Sequence, residues 1–173
     1  ISNGRVYAMG ATGILRCLAG DTGEEIWVRN LFQDYDFDQE QGEEAVAWGR
    51  SASPLLHDET VYIPVGGPVD GQHVTLLAMD AATGETKWET VGDQVSYASP
   101  ALLTVAGVQQ LVSVNENNVA GYALEDGEEL WSYPWPGKSN MNASVSQPHV
   151  YDNDFVFLSK GYGHGAALIE LDV

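Results

Sequence analysis

A motif that occurs three times along the chain limits its possible folds more than any other feature of the sequence. The motif is Gly-Glu-x-x-Trp, and its copies span residues 23–27, 84–88 and 127–131. Each copy follows a short apolar run, and its glycine supplies the positive φ that a tight turn between two strands needs. An apolar run, a glycine turn and a tryptophan-bearing run together predict a β-hairpin. The signature positions are Gly23, Trp27, Gly84, Trp88, Gly127 and Trp131.

A second element recurs between these hairpins. Ala-Ser-Pro occurs at residues 52–54 and 98–100, and a looser Ser-Gln-Pro occurs at 146–148. The three prolines are spaced 46 and 48 residues apart, and each is followed by a turn and a β-rich run. A period of this length with four short strands in each unit is typical of a β-propeller blade. No helical period of 3.6 residues is sustained, so the sequence predicts an all-β propeller.

The strand count divides the chain into unequal units. Residues 1–30 supply three strands of a partial blade, residues 48–92 and 95–135 supply four strands each, and residues 142–173 supply three. Residues 31–47 form an acidic insertion. We therefore expect about four blades, two complete and two partial, of a larger ring. Open sheet edges invite pairing, so the rest of the propeller or a second copy of the chain is expected to cover them.

The charge and cysteine content exclude several classes of function. The 173 residues include 25 acidic and 7 basic side chains, which gives a net charge of −18. Such a surface repels phosphate backbones, so no nucleic-acid partner is expected. No apolar run is long enough for a transmembrane segment. The single cysteine, Cys17, excludes an intramolecular disulfide and a CxxC redox pair.

The best-defined unit resembles a known repeat. Residues 76–88, Leu-Leu-Ala-Met-Asp-Ala-Ala-Thr-Gly-Glu-Thr-Lys-Trp, follow an Ala-Ser-Pro element and a Val-Tyr strand. This unit resembles the pyrroloquinoline-quinone-type (PQQ-like) repeat of quinoprotein alcohol dehydrogenases and of the propeller lipoprotein of the bacterial outer-membrane β-barrel assembly machinery. The resemblance covers the chain apart from residues 31–47. It implies a ring of seven or eight blades, tryptophans that dock neighbouring blades, and a periplasmic or otherwise extracytoplasmic location.

Resemblance to the dehydrogenases also implies a quinone cofactor and a Ca²⁺ ion held by Glu, Asn and Asp oxygens. Residues 115–118, Asn-Glu-Asn-Asn, offer such oxygens, but their position between two β-rich runs favours a polar hairpin turn. In the insertion, Asp34, Asp36 and Asp38 have the spacing of a calcium loop, whereas Gln39 stands where that loop needs glycine. A looser Ca²⁺ site and a solvated loop both remain open there. We expect no PQQ and no catalytic residues.

The segments that precede the repeat prolines are expected to cluster at one face, around the central channel. They carry our candidate partner-binding residues, Trp48, Arg50, Tyr97 and Asn142. We expect Trp48 and Tyr97 to form an amphipathic rim of the kind that is enriched at binding hot spots. Arg50 follows the carboxylates of the insertion, and we expect it to pair with them and to fix the insertion over the channel mouth.

These observations favour a non-catalytic, extracytoplasmic propeller that serves as a protein-interaction scaffold. The first alternative is the propeller domain of a PQQ-dependent alcohol dehydrogenase. The second is a glycan-binding module that uses Trp48, Trp135 and tyrosines near the strand ends. The fold alone does not separate these functions, because one repeat serves enzymes and non-enzymes.

Overall fold

The computed structural model describes residues 1–171, so the last two residues of the predicted 142–173 unit lie outside the described part of the chain. Within that part there are fourteen strands and two short helices. The strands are β1 (Arg5–Met9), β2 (Ile14–Ala19), β3 (Glu25–Asn30), β4 (Leu55–His57), β5 (Thr60–Ile63), β6 (Val74–Asp80), β7 (Thr86–Val91), β8 (Ala101–Val105), β9 (Val108–Val114), β10 (Asn118–Tyr122), β11 (Glu129–Pro134), β12 (His149–Tyr151), β13 (Phe155–Lys160) and β14 (Gly165–Glu170). The helices are α1 (Leu31–Asp34) and α2 (Gln39–Ala45). Neither described helix, of four and seven residues, is long enough to cross a membrane.

The strands form four antiparallel sheets in which each strand pairs with its neighbour in sequence. The orders are β1-β2-β3, β4-β5-β6-β7, β8-β9-β10-β11 and β12-β13-β14. Two four-stranded and two three-stranded sheets confirm the predicted propeller class with two complete and two partial blades. The first strands of the third and fourth sheets, β8 and β12, contact each other, so these two sheets meet along their initial strands.

The core lies between the sheets and not within any one of them. Successive residues of a strand point to opposite faces, so Val61 packs toward the first sheet while Tyr62 packs toward the third. Between the third and fourth sheets, Val112 packs with Val156 and Leu158. Each inner sheet therefore buries apolar side chains on both faces, and the stacking of sheets supplies the hydrophobic stabilisation.

Two of the three signature tryptophans donate a hydrogen bond to the next sheet, whereas Trp131 donates to Gln110 of its own sheet. Trp27 of the first sheet donates its indole N–H to the carbonyl of Ala81 in the second, at 3.2 Å. Trp88 of the second sheet donates in the same way to Leu124 of the third, at 3.1 Å. Both acceptors lie three residues before a signature glycine. The repeat thus places one indole and one interblade hydrogen bond at each of these junctions.

The signature glycines are required for two reasons. Gly84 and Gly127 have φ of 75° and 76°, in the left-handed region that glycine adopts without steric cost. In addition, a Cβ on Gly84 would lie 2.9 Å from the Trp27 ring, and one on Gly127 would lie 2.6 Å from the Trp88 ring. From the sequence, each glycine is needed for the positive φ of its own turn. The structure adds a second reason, because the absence of a Cβ leaves space for the tryptophan ring of the preceding sheet.

The acidic insertion, which one interpretation of the sequence describes as a solvated loop, contains the two short helices α1 and α2. Asn30 caps α1, and Asp38 caps α2 through a capping box with Gln41. Phe32 and Phe37 are buried. The insertion therefore has an apolar side packed on the first two sheets. The hydrophobic pattern of the sequence does not predict these helices, because Phe37 lies outside α2 and because neither helix spans more than two turns.

We predict that Trp88→Ala lowers the free energy of unfolding by about 3 kcal/mol, because it removes a large ring and an interblade hydrogen bond. Val91→Ala is the matched control on the same strand; Val91 is 47% exposed, and its truncation should cost less than about 1 kcal/mol. Urea denaturation followed by circular dichroism measures both values. Equal effects of the two substitutions would contradict the docking role of Trp88.

Candidate functional site

Two aromatic side chains from separate segments meet on the face where the sheets begin. Trp48 is 62% exposed, and its ring centre lies 5.6 Å from that of Tyr97, with the two planes tilted by 44°. The backbone N–H of Trp48 donates to the Tyr97 hydroxyl at 3.2 Å. That hydroxyl donates in turn to the carbonyl of Ser139 at 2.9 Å. The predicted pairing of Trp48 with Tyr97 is therefore present, and a third segment holds it in place.

The backbone around Tyr97 is fixed to the following blade. The N–H of Tyr97 donates to the carbonyl of Ser144 at 3.0 Å, and the N–H of Ser144 donates to the hydroxyl of Ser96 at 3.0 Å. Burial raises the pKa of the Tyr97 phenol, although the bond from Trp48 and the charge of Arg50 oppose the rise. The phenol is thus neutral at physiological pH and keeps the proton that it donates to Ser139.

Arg50 is a buried cation that is held by backbone carbonyls. Only 3% of the residue is exposed. Its Nε donates to Val65 at 3.0 Å, its Nη1 to Gly42 at 2.7 Å and its Nη2 to Gly67 at 3.3 Å. Gly42 belongs to α2, so the guanidinium connects the insertion to the second sheet.

The expected ion pair between Arg50 and the carboxylates of the insertion is wrong. Among the described residues, no carboxylate oxygen lies within 4 Å of Arg50. Instead its guanidinium lies 5.1 Å from the ring centre of Phe32 and 5.6 Å from that of Phe37. Burial lowers the pKa of Arg50 to about 10, so it stays charged at neutral pH. Arg50 fixes the insertion as expected, but through carbonyls and rings, and it is not available to a partner.

A cleft of about 230 Å³ lies beside the aromatic pair. Two of its lining residues, Lys138 and Asn140, flank Ser139. The carbonyl of Ser139 accepts the hydrogen bond from the Tyr97 hydroxyl. Charged groups of both signs line it, namely the carboxylates of Glu44 and Glu116 and the ammonium of Lys138. The face therefore combines an exposed indole with a polar recess.

Asn142 lies apart from the aromatic pair. Its side-chain amide is 3.0 Å from Nε2 of His164, in the turn before β14. Within residues 1–171 no hydrogen bond connects Asn142 to Trp48 or Tyr97. Of the four candidates, the structure brings Trp48 and Tyr97 together, buries Arg50 nearby and places Asn142 against another turn.

The three aspartates of the insertion have separate roles. Asp34 accepts from Nε of Arg29 at 2.6 Å, and Asp38 caps α2. Asp36 stands between the helices with φ of 56°. In the part of the chain that the structure describes, no three potential metal-ligating side chains come together. Asp34 and Asp38 thus act in local structure.

Residues 115–117 form the turn between β9 and β10, and Asn118 begins β10; side-chain oxygens of this segment accept internal hydrogen bonds. Oδ1 of Asn115 accepts from Ser113 at 2.7 Å, and Oδ1 of Asn118 accepts from the Asn115 amide at 2.7 Å. Oε1 of Glu116 accepts from the N–H of Ser139 at 2.8 Å. A Ca²⁺ ion bound to these three oxygens would have to displace those internal hydrogen bonds.

Gln94 and Asp93 organise this face, although no motif of the sequence indicates them. Gln94 is buried, and its side-chain amide donates a hydrogen bond to the carbonyl of Gly67 at 2.9 Å. Asp93 accepts from the N–H of Asn118 at 3.1 Å. One signal was present in the repeat: Arg50, Ser96 and Ser144 each stand four residues before a repeat proline, and all three are buried polar residues. Aligning the repeats by their prolines would have indicated a buried polar layer.

Comparison with solved structures supports the propeller architecture. BamB from Moraxella catarrhalis is 17% identical, with a TM-score of 0.65; the match covers 98% of this chain and 47% of that one. A quinohemoprotein alcohol dehydrogenase from Comamonas testosteroni is 15% identical, with a TM-score of 0.66 and coverage of 92% and 28%. The computationally designed Ika4 protein is 15% identical, with a TM-score of 0.63 and coverage of 99% and 88%. At these identities the likeness shows the fold alone.

The chain spans about half of the Moraxella BamB chain that it matches. No curated protein matches it. The model of one protein family, described as outer membrane protein assembly factor BamB, matches residues 1–173. That match includes both complete blades, both partial blades and the insertion. The chain therefore belongs to the family of the outer membrane protein assembly factor BamB.

Proposed function

We propose that this chain is a non-catalytic, extracytoplasmic protein-interaction scaffold whose partner binds at the face formed by Trp48 and Tyr97. The observation that carries the proposal is the 62% exposed indole of Trp48, held against Tyr97. An exposed aromatic ring that is already fixed loses little conformational freedom when a partner covers it. Tryptophan and tyrosine are also the residue types that dominate binding hot spots.

The charge of the chain supports a protein partner with basic groups. The net charge of −18 disfavours polyanions and attracts cationic surfaces. Glu44 and Glu116 line the cleft beside the aromatic pair together with Lys138, so two carboxylates face one ammonium group there. An apolar contact on Trp48 together with a basic side chain in the cleft is the complement that this face favours.

Membership of the BamB family supports the same proposal. The family's description names an assembly factor for outer-membrane proteins, which is a role in protein interaction. An extracytoplasmic location for this chain is proposed on that basis. Because the chain spans about half of the Moraxella BamB, the partner of the whole protein is not carried over to it.

The dehydrogenase alternative is supported by the fold and not by a site. The similarity to quinohemoprotein alcohol dehydrogenases covers 27% and 28% of those chains. The oxygens of Asn115 and Glu116, the residues that best match a Ca²⁺ donor set, accept hydrogen bonds from Ser113 and Ser139. We therefore place the enzyme second.

The glycan-binding alternative uses Trp48, Trp135 and tyrosines near the strand ends as stacking surfaces. Of the five tryptophans, all within the described residues, only Trp48 is exposed. The ring of Trp135 is partly buried, and the ammonium of Lys160 lies 5.3 Å from its centre. A single exposed indole gives a sugar less stacking surface than a tryptophan pair would.

The double substitution Trp48→Ala and Tyr97→Ala is predicted to abolish capture of the partner from solubilised bacterial outer membranes. The two rings are the apolar part of the face, and hot-spot truncations cost 2 kcal/mol or more, roughly a thirtyfold loss of affinity. The melting temperature should fall by a few degrees, because Tyr97 loses its bond to Ser139, but the chain should stay folded, because Trp48 is exposed and Tyr97 is only partly buried. Mass spectrometry of captured proteins and a thermal melt measure the two effects.

Val91→Ala, which changes an exposed apolar residue on β7, serves as the control and should leave capture unchanged. If the double variant captures the same protein as the unchanged chain, the proposed face is wrong. If it unfolds at the growth temperature, Trp48 and Tyr97 are core residues and the proposal also fails.

Calorimetric titration of this chain with PQQ and Ca²⁺ is predicted to show no saturable binding at micromolar concentrations, which corresponds to about −8 kcal/mol. The physical reason is that the candidate oxygens already accept internal hydrogen bonds. A quinoprotein dehydrogenase stripped of its cofactor is the positive control. Stoichiometric uptake would place the dehydrogenase alternative first.

A further inference from the structure

The segment that carries Trp48 has no strand of its own. Trp48 lies between the end of α2 and the start of β4. Its backbone N–H donates to the Tyr97 hydroxyl, while its ring is largely exposed. The position of the indole therefore depends on how the residues on either side of it are held.

The residue after Trp48 packs tightly against the turn between β1 and β2. Gly49 has φ of 74°, and a Cβ at this position would lie 2.7 Å from the carbonyl oxygen of Ala11. The backbone N–H of Arg50 donates to that same carbonyl at 2.9 Å. On the other side, the N–H of Gly49 donates to the carbonyl of Val46, the C-cap residue of α2, at 2.8 Å. The backbone of residues 46–50 thus connects α2 to the first sheet, with Trp48 at its centre.

The side chain of Arg50 joins this segment to the insertion and to the second sheet. Its guanidinium donates to the carbonyl of Gly42 in α2 and to those of Val65 and Gly67, which follow β5. The two buried phenylalanine rings of the insertion lie against it. Within residues 1–171, no other hydrogen bond connects a residue of α2 with a residue outside the insertion. The attachment of α2 by hydrogen bonds therefore depends on Arg50.

The first helix of the insertion has separate attachments. Asp34 of α1 accepts from Arg29 at 2.6 Å, and the hydroxyl of Tyr35 donates to a carboxylate oxygen of Glu89 on β7 at 2.7 Å. Neither bond involves Arg50. We therefore expect that loss of the Arg50 guanidinium frees α2 and the segment after it, while α1 and the sheets keep their contacts.

Two features of the candidate face depend on the position of α2. Glu44 and Ala45, at the end of this helix, line the cleft beside the aromatic pair. Trp48 follows within the same segment. A shift of α2 would therefore move one wall of the cleft and the exposed indole together.

We propose that Arg50 is a positioning residue for the Trp48–Tyr97 face: by holding α2, its guanidinium keeps the Trp48 ring and the cleft wall in the arrangement that binds a partner. This inference rests on the proposed function of that face. Arg50 itself does not touch the partner, because it is buried. It acts by preorganisation, since a segment that is already fixed loses less conformational freedom on binding.

The planar guanidinium is the group that this role requires. Its five N–H donors allow bonds to three carbonyls while its face stays against the two rings. The ammonium of a lysine is a compact point charge and cannot reproduce this fork of donors. If Arg50→Lys leaves the segment in the binding arrangement for about a tenth of the time, the apparent affinity falls about tenfold.

The test compares the unchanged chain with Arg50→Lys. Arg16→Lys is the matched control, because Arg16 forms an exposed ion pair with Glu25 on the first sheet. Tryptophan is replaced by 5-fluorotryptophan, and the variant Trp48→Phe identifies the fluorine resonance of Trp48. We expect Arg50→Lys to shift this resonance toward that of the free amino acid in water, because the ring loses its fixed position beside Tyr97. Arg16→Lys should leave the resonance unchanged.

Two further measurements follow α2 and the partner. Digestion with a glutamate-specific protease should cleave after Glu40, Glu43 and Glu44 of α2 faster in Arg50→Lys than in the unchanged chain. Capture of the protein that the unchanged chain binds from solubilised bacterial outer membranes should fall about tenfold in Arg50→Lys. Neither value should change in Arg16→Lys.

An unchanged Trp48 resonance in Arg50→Lys overturns the proposal. If circular dichroism shows that Arg50→Lys is unfolded, the uncharged variant Arg50→Met replaces it, and unfolding of both variants overturns the proposal because Arg50 is then a core residue. If the resonance shifts but capture is retained, the double substitution of Trp48 and Tyr97 separates the two ideas. Loss of capture in that double variant overturns this inference alone, whereas retained capture overturns the proposed function and this inference with it.

Discussion

The packing of an indole over the turn glycine of the next sheet is the contact on which the rest of the architecture depends. Trp27 reaches Gly84 and Trp88 reaches Gly127, with an N–H to carbonyl bond at each junction. A lone sheet of three or four short strands buries little apolar surface. Because such contacts hold neighbouring sheets together, the facing apolar surfaces are buried in three clusters, one at each junction. The same stacking brings the loops before each first strand to one face.

Buried cations show how an acidic chain keeps positive charge in its interior. Arg50 is held by three carbonyls and two phenylalanine rings. Lys160, 5% exposed, donates to the carbonyls of Trp135 and Pro136, and burial lowers the pKa of its ammonium. Both cations thus use backbone dipoles and aromatic faces in place of carboxylates. Each connects an irregular segment to a sheet and so anchors that segment.

The candidate face follows from the repeat but is made of residues that the repeat does not specify. Trp48 and Gln94 both stand six residues before a repeat proline, yet one is an exposed indole and the other a buried amide. The repeat determines where these two residues lie in the fold. The chemistry of each side chain determines whether it is exposed or buried there. For this reason the fold and the Trp48–Tyr97 pairing could be predicted from the sequence, whereas the contacts of Arg50, Asp93 and Ser139 could not.

The sequence by itself determined the strand count, the sheet composition and the position of the signature tryptophans, because local period and turn chemistry are properties of neighbouring residues. Only the tertiary structure decided that Arg50 pairs with carbonyls and not with acids, and that the insertion forms capped helices over Phe32 and Phe37. These outcomes depend on burial and on partners that are distant in the chain. Burial decides whether a charged side chain is stabilised better by a carboxylate at the surface or by backbone carbonyls in the interior.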